Sequence, residues 1–309
     1  MAAQTSRSTG VSTKTDREGA ESTVPFRWDL ITPDQFGTLL DGIERPRLWF
    51  IDGLITCAGK VLARSGNGDL IFVGRSLDSM YDLLGGALEG TSWSGRLHRL
   101  PLSFAVPARP VGRQWRPVRL GHAEREQARH ILAGLGLSPY ELARRDRPAT
   151  FVDVVHGGST FTKLYGLVRP WIDSQREPWN VIRRKLRFVG VTSRTKTSPN
   201  TFRWQQAAEW TRELPARAVL NVSLDRSVWS YLADAQVKLT RTFRPEHWLA
   251  DTDGPQRGDQ TSKALAEAVA IVEYGRTRTA RMQLARALTN EVAIAKPWLR
   301  HLVVELGTR

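Results

Sequence analysis

Apolar side chains recur along this chain in two spacings that take turns. Short runs rich in β-branched residues, D-L-I-F-V at 69–73, F-V-D-V-V at 151–155, L-R-F-V-G-V-T at 186–192 and A-V-L-N-V-S-L at 218–224, predict strands opened by Asp69, Thr150, Leu186 and Ala218. Between them, apolar positions three and four apart predict helices. Strands alternating with helices imply an α/β fold: a mostly parallel sheet covered by helices, Rossmann-like, with ligands gathering at the carboxyl ends of its strands.

The helical stretches carry their own stops and starts. Thr32-Pro33-Asp34-Gln35 offers a capping threonine, a proline at the first helical position and a glutamine three after the cap, which predicts a helix to about Ile43 with Phe36, Leu39, Leu40 and Ile43 inward. Arg47 to Arg64 has one broad apolar face and stops at Ser65-Gly66-Asn67-Gly68. A helix from Asp78 to Leu84 is expected to halt at Gly85-Gly86, and a strand is expected over Leu97–Ala105. Gly121–Leu135 reads as a helix, and Ser138-Pro139-Tyr140-Glu141 opens another with a capping box, ending near Asp146. Phe202–Leu214 and Ser227–Ala235 are read as helices. Beyond about Val237 the strand pattern ends, and helices are expected over Ser262–Tyr274, Thr279–Leu288 and Ile294–Leu306.

This pattern divides the chain into three parts. Residues 1–24, rich in Ser, Thr, Gly and Ala with three basic and three acidic residues, cannot offset the entropy of ordering and read as a disordered tail. Residues 25–236 form the α/β domain and 237–309 a helical cap or extension. The extension reads as a cap supplying an acceptor pocket, with a dimerisation element or a basic surface as alternatives.

Charge adds a partner class. The chain has 309 residues and a formal net charge of +14, from 45 Lys plus Arg against 31 Asp plus Glu. From Asn180 to Arg212, eight basic residues stand against Glu209 alone, a surface suited to a polyanion or a multiply phosphorylated ligand, or simply to solvent. Cys57 is the single cysteine, which excludes an internal disulfide and a thiolate metal cluster. With no apolar run of membrane-spanning length and no secretory leader pattern, a cytoplasmic protein with no membrane partner is expected.

The most informative stretch is Thr150 to Lys163, T-F-V-D-V-V-H-G-G-S-T-F-T-K. An apolar run around Asp153 breaks into His156-Gly157-Gly158-Ser159-Thr160, and helical spacing resumes at Phe161, Leu164, Tyr165, Leu167 and Val168. A loop at a helix N-terminus presents unpaired N–H groups and the positive end of the dipole to an anion. An acid ending a strand before such a loop suits a sugar phosphate with a metal.

Phe151 to Thr160 resembles the phosphoribosyl-pyrophosphate motif of type I phosphoribosyltransferases. The resemblance implies that Asp153, matching the second acid of the motif, holds ribose hydroxyls and a Mg²⁺ through them. It also implies that His156, Gly157, Gly158, Ser159 and Thr160 wrap the 5-phosphate. Val152 stands where the first acid is usual, and Gly157 where the first threonine is usual. In that family a pyrophosphate loop follows the first core strand, a place taken here by Gly74, Arg75, Ser76 and Leu77, with Arg75 as the pyrophosphate contact. A flap between the two loops is matched in length and charge by Arg109–Arg119, though a surface connector fits those residues equally. The implied ligand is phosphoribosyl pyrophosphate or a nucleotide, and the implied activity is transfer of ribosyl phosphate to or from a base, with Asp153 and Arg75 as catalytic residues.

Other readings stand beside this one. A non-catalytic protein of the same fold could sense a nucleotide, or bind nucleic acid through its basic surface. His156 could carry a proton or simply hydrogen-bond at the surface. Trp115, Trp204 and Trp210 lie among arginines, where base stacking competes with core packing as their use. A homodimer is compatible with the C-terminal helices.

Overall fold

The computed structural model describes residues 24–31, 36–104, 108–111, 114–117, 120–194, 204–250, 254–255 and 257–308. In chain order these form α1 (Ile51–Arg64), β1 (Asp69–Val73), α2 (Asp78–Ala87), β2 (Leu97–Leu100), β3 (Ala108–Val111), β4 (Gln114–Pro117), α3 (His122–Gly134), α4 (Pro139–Arg144), β5 (Ala149–Val154), α5 (Ser159–Ser174), α6 (Trp179–Ile182), β6 (Leu186–Ser193), β7 (Val219–Leu224), α7 (Arg226–Ser230), α8 (Asp259–Arg276), α9 (Arg278–Thr289) and α10 (Pro297–Gly307). Five strands make one sheet in the order β2-β1-β5-β6-β7, every neighbouring pair parallel. The fold is therefore α/β with an all-parallel sheet, as the alternation of spacings predicts. β3 and β4 pair antiparallel as a separate two-stranded sheet, and the described residues of the expected flap at Arg109–Arg119 fall on it, residues 112–113 and 118–119 lying outside the described residues.

Strand residues alternate between two cores because successive side chains leave opposite faces of a strand. Leu70, Phe72, Val152 and Val189 face one side, packed with α1, α2 and the C-terminal helices α8, α9 and α10. Ile71, Val73, Phe151 and Phe188 face the other, packed with α3, α4 and α5. Both faces are covered, so the strands read as continuous apolar runs rather than as alternation. Residues 237–308 thus contribute Ile271, Leu284, Leu288, Leu299, Leu302 and Leu306 to the same core as the sheet. Cys57 lies in that core, and burial pushes its thiol up to about 12.

Several boundaries differ from the sequence expectation. Residues 36–43 form turns rather than a helix, with Gly37 and Gly42 left-handed, while Thr32–Gln35 and nearly all of the expected 1–24 tail lie outside the described residues. α1 starts at Ile51, and Trp49 before it is 57% exposed. β2 ends at Leu100 because Pro101 has no N–H for the ladder. α2 runs through Gly85 and Gly86 instead of stopping there. Those glycines serve packing: a Cβ at Gly86 would stand 2.2 Å from the Val272 carbonyl oxygen of α8, and one at Gly275 would stand 2.5 Å from the Leu83 carbonyl.

Of the expected helix at Phe202–Leu214, the described residues form two 3₁₀ turns, Trp204–Ala207 and Glu209–Glu213, while Phe202 and Arg203 lie outside the described residues. Residues six apart share a face at three residues per turn but not at 3.6. Trp204 and Trp210 both turn inward, where their indoles donate to Asn221 (2.7 Å) and Thr162 (3.0 Å). Of the two uses open to these tryptophans, the structure shows core packing: Trp204 is 1% exposed and Trp210 stacks on Tyr165 with ring centroids 4.7 Å apart.

Candidate functional site

Two loops leave the sheet side by side. β1 and β5 are adjacent, with Phe72 paired to Val152, so Gly74 and the His156 loop follow from the same edge of neighbouring strands, about 4.8 Å apart. α2 then folds back onto the α1 face and α5 onto the opposite face. β2 lies on one side of β1 while β5, β6 and β7 run away on the other, so the order of strands reverses between β1 and β5. Parallel sheets hold their ligands in the crevice opened by such a reversal.

The loop after β5 is fixed by shape. Gly158 is the residue before α5, with φ 76°, and a Cβ there would stand 2.1 Å from the Trp204 ring. Only glycine satisfies both the left-handed backbone and that contact. His156, Gly157 and Ser159 are exposed and Thr160 half-buried, so the first turn of α5, whose N–H groups have no acceptor within the helix, opens toward the crevice. The His156 ring lies 6.4 Å from that of Trp229.

Asp153 sits under this loop, 6% exposed. Its Oδ1 accepts the Val154 N–H at 2.7 Å, and its carboxyl also pairs with the Thr160 hydroxyl. The structure thus joins two residues singled out by the sequence. Burial pushes the Asp153 pKa up to about 8, against the lowering effect of those two hydrogen bonds, so the group is largely a neutral acid at pH 7. Val152, where the resemblance would have placed an acid, lies in the apolar core.

The loop after β1 is fixed by charge and hydrogen bonds. Gly74 has φ 70° and donates to the Leu100 carbonyl at 2.8 Å. Arg75, expected to reach the ligand, donates from Nη1 to the Thr240 carbonyl at 2.7 Å. Burial, with Arg244 nearby, lowers its pKa. The Ser76 carbonyl accepts from Lys238 Nζ at 2.9 Å, and burial lowers that ammonium to about 8. Beneath the loop, Asp78 is held by Arg99 (3.0 Å) and Arg27 (3.1 Å), and Arg27 also pairs with Asp82. Arg99 and Arg27 hold Asp78 below the usual carboxylate range despite burial, while burial pushes Asp82 up to about 6.

Sequence reading missed three side chains here. Lys163, at the start of the second turn of α5, reaches the Phe104 carbonyl at 2.6 Å, and burial lowers its pKa. Its place five residues past the second glycine of the loop is the signal that marks it. Lys238 and Thr240 complete the β1 loop from about 160 residues away, and no local pattern reveals such a contact.

The arrangement does not make a Mg²⁺ site of its own. Among the described residues no three His, Cys, Asp or Glu side chains are placed to hold a metal. Asp153 is buried and largely neutral, and Asp78 is already held by Arg99 and Arg27, whereas Mg²⁺ takes carboxylate and phosphate oxygens. Compared with family models, curated proteins and solved structures, the chain gives no match. No described helix is long and apolar enough to cross a membrane. Fold and crevice together define a parallel α/β protein with two glycine-containing loops at its strand reversal.

Proposed function

We propose that the crevice between β1 and β5 takes a phosphorylated ribose in the manner of a type I phosphoribosyltransferase. The observation that carries this reading is the pairing of two loops, Gly74–Leu77 and His156–Thr160, on adjacent parallel strands where the sheet order reverses. The 5-phosphate lies on the first turn of α5, against the N–H groups of Gly157 to Thr160. Asp153 meets the ribose hydroxyls as a neutral acid, able to donate and to accept. The diphosphate end points to Gly74–Ser76, and Arg75 reaches it by exchanging the Thr240 carbonyl for phosphate oxygens. Any Mg²⁺ arrives with the ligand's own phosphates.

Transfer to or from a base would pass through an oxocarbenium-like state, with the chain contributing position and stabilisation of the departing diphosphate. Val152 in the core and the buried Asp153 favour a second reading, a protein that senses a phosphoribosyl nucleotide without turnover.

Calorimetry with phosphoribosyl pyrophosphate, with and without Mg²⁺, tests the binding. Binding weakened ten-fold or more by Asp153→Ala, which removes both the donor and the acceptor, about 1.4 kcal/mol, is expected. No binding in either condition would sink the proposal. Diphosphate release on adding free bases separates transfer from sensing.

A further inference from the structure

The opposite edge of the sheet has a chemistry of its own. All five strands start there, and the turns leading into them lie in a row joined by backbone hydrogen bonds. Leu70 donates to Arg96 (3.0 Å), Asp69 to Pro148 (2.9 Å), Ala149 to Lys185 (2.7 Å) and Phe188 to Ala218 (2.8 Å). Each turn carries arginine: Arg64 at the end of α1, Arg96 before β2, Arg147 before β5, Arg184 and Arg187 at β6, and Arg217 before β7. In residues 64–69, 94–96, 145–148, 183–187 and 215–218, nine basic residues stand against two acids. Half of the chain's +14 therefore sits in these short turns. One of the two acids, Asp69, is already engaged by Arg96 and Arg145. Arg147, Arg184 and Arg217 are exposed.

The shape of this charge is a line. Five turns at about 4.8 Å spacing cover roughly 20 Å, the length of about six nucleotides at 3.4 Å per phosphate. Eight of the nine cations are arginines, whose planar fork matches paired phosphate oxygens. We propose that this amino-terminal edge docks the sugar–phosphate backbone of nucleic acid, independently of the crevice at the carboxyl edge. Recognition runs through phosphates and is independent of sequence.

Fluorescence anisotropy with labelled mixed-sequence DNA, duplex and single-stranded, tests this on the full chain. One variant is the triple Arg147→Gln/Arg184→Gln/Arg217→Gln. A control removes the same charge from exposed arginines of the opposite edge, Arg194→Gln/Arg226→Gln/Arg244→Gln. Parent and control are expected to bind alike, with affinity falling steeply with salt. The edge variant is expected to bind at least ten-fold more weakly, with its log–log salt slope on duplex reduced by about 2 to 3. No binding by the parent at about 50 mM salt overturns the proposal. Equal loss in both variants also overturns it, since diffuse net charge would then be responsible. So does binding to vesicles containing phosphatidylserine in place of nucleic acid.

Discussion

The two crevice loops solve one problem by different means. The loop after β1 is held by side chains from distant parts of the chain, with Arg75 on the Thr240 carbonyl, Lys238 on Ser76, and Arg27 and Arg99 on Asp78. The loop after β5 is held by volume, with Gly158 pressed under Trp204. The glycines show the contrast: Gly74 and Gly158 have φ of 70° and 76°, yet a Cβ at Gly74 meets nothing nearer than 3.9 Å, against 2.1 Å at Gly158. A loop fixed by charge is vulnerable to losing a partner; a loop fixed by shape is vulnerable to gaining a methyl group.

The largest effect is expected on the charged side. Arg27→Ala leaves Asp82 without its cation and Asp78 with Arg99, a buried pair broken from one end, and should cost about 3–5 kcal/mol in urea unfolding. A cost under about 1 kcal/mol would show that these charges do not hold the β1 loop. On the steric side, Gly158→Ala combines overpacking with left-handed strain and should cost about 2–4 kcal/mol. Measured against Trp204→Ala alone, Gly158→Ala should cost less, because the obstacle is gone; an equal cost in both backgrounds would mean that the backbone alone sets it.

A pH effect, spread over several pH units, separates the two loops further. The folded Asp153 pKa, about 8, lies above its unfolded value near 3.9, so the stability held by the neutral acid is complete below that value and is lost as pH rises through about 8. Parent stability should fall between pH 4 and 8 with a slope of up to about 1.4 kcal/mol per unit, and Asp153→Asn should flatten the profile. Identical profiles would place the carboxyl in water. Smallest is Gly74→Ala, where only the backbone conformation opposes the substitution, at about 1 kcal/mol. A cost equal to that of Gly158→Ala would erase the distinction between the loops.

The sheet was legible because its strands are buried on both faces: the apolar runs at 69–73, 151–155, 186–192 and 218–224 each fall on a strand to within two residues. The capping box at Ser138 and Glu141 was legible as well, because both of its hydrogen bonds form within four residues. Long-range packing was not. Gly85-Gly86 spells a helix stop locally, but Gly86 is small so that α8 can approach. Trp204 and Trp210 sit at a spacing an α-helix would split, and tertiary hydrogen bonds to Asn221 and Thr162 chose the tighter turn. At the site, Asp153 and Thr160 were visible because one strand and one loop bring them together. Arg75 was visible as a cation but not as a hydrogen-bonded one, since its acceptor lies 165 positions on.

That separation affects how the protein is made. The β5 loop finds Trp204 a few dozen residues after Gly158 has been synthesised, within a few seconds at about 5–20 residues per second. The β1 loop waits for Lys238 and Thr240, 162 and 165 positions after their partners, and so for roughly 8 to 30 seconds of translation. During that interval Asp78 and Arg99, only 21 positions apart, can already pair, while the peptide above them has no anchor. A nascent chain released before Thr240 would carry one finished half of its crevice and one open half, which makes the emerging polypeptide itself the order in which the two loops are assembled.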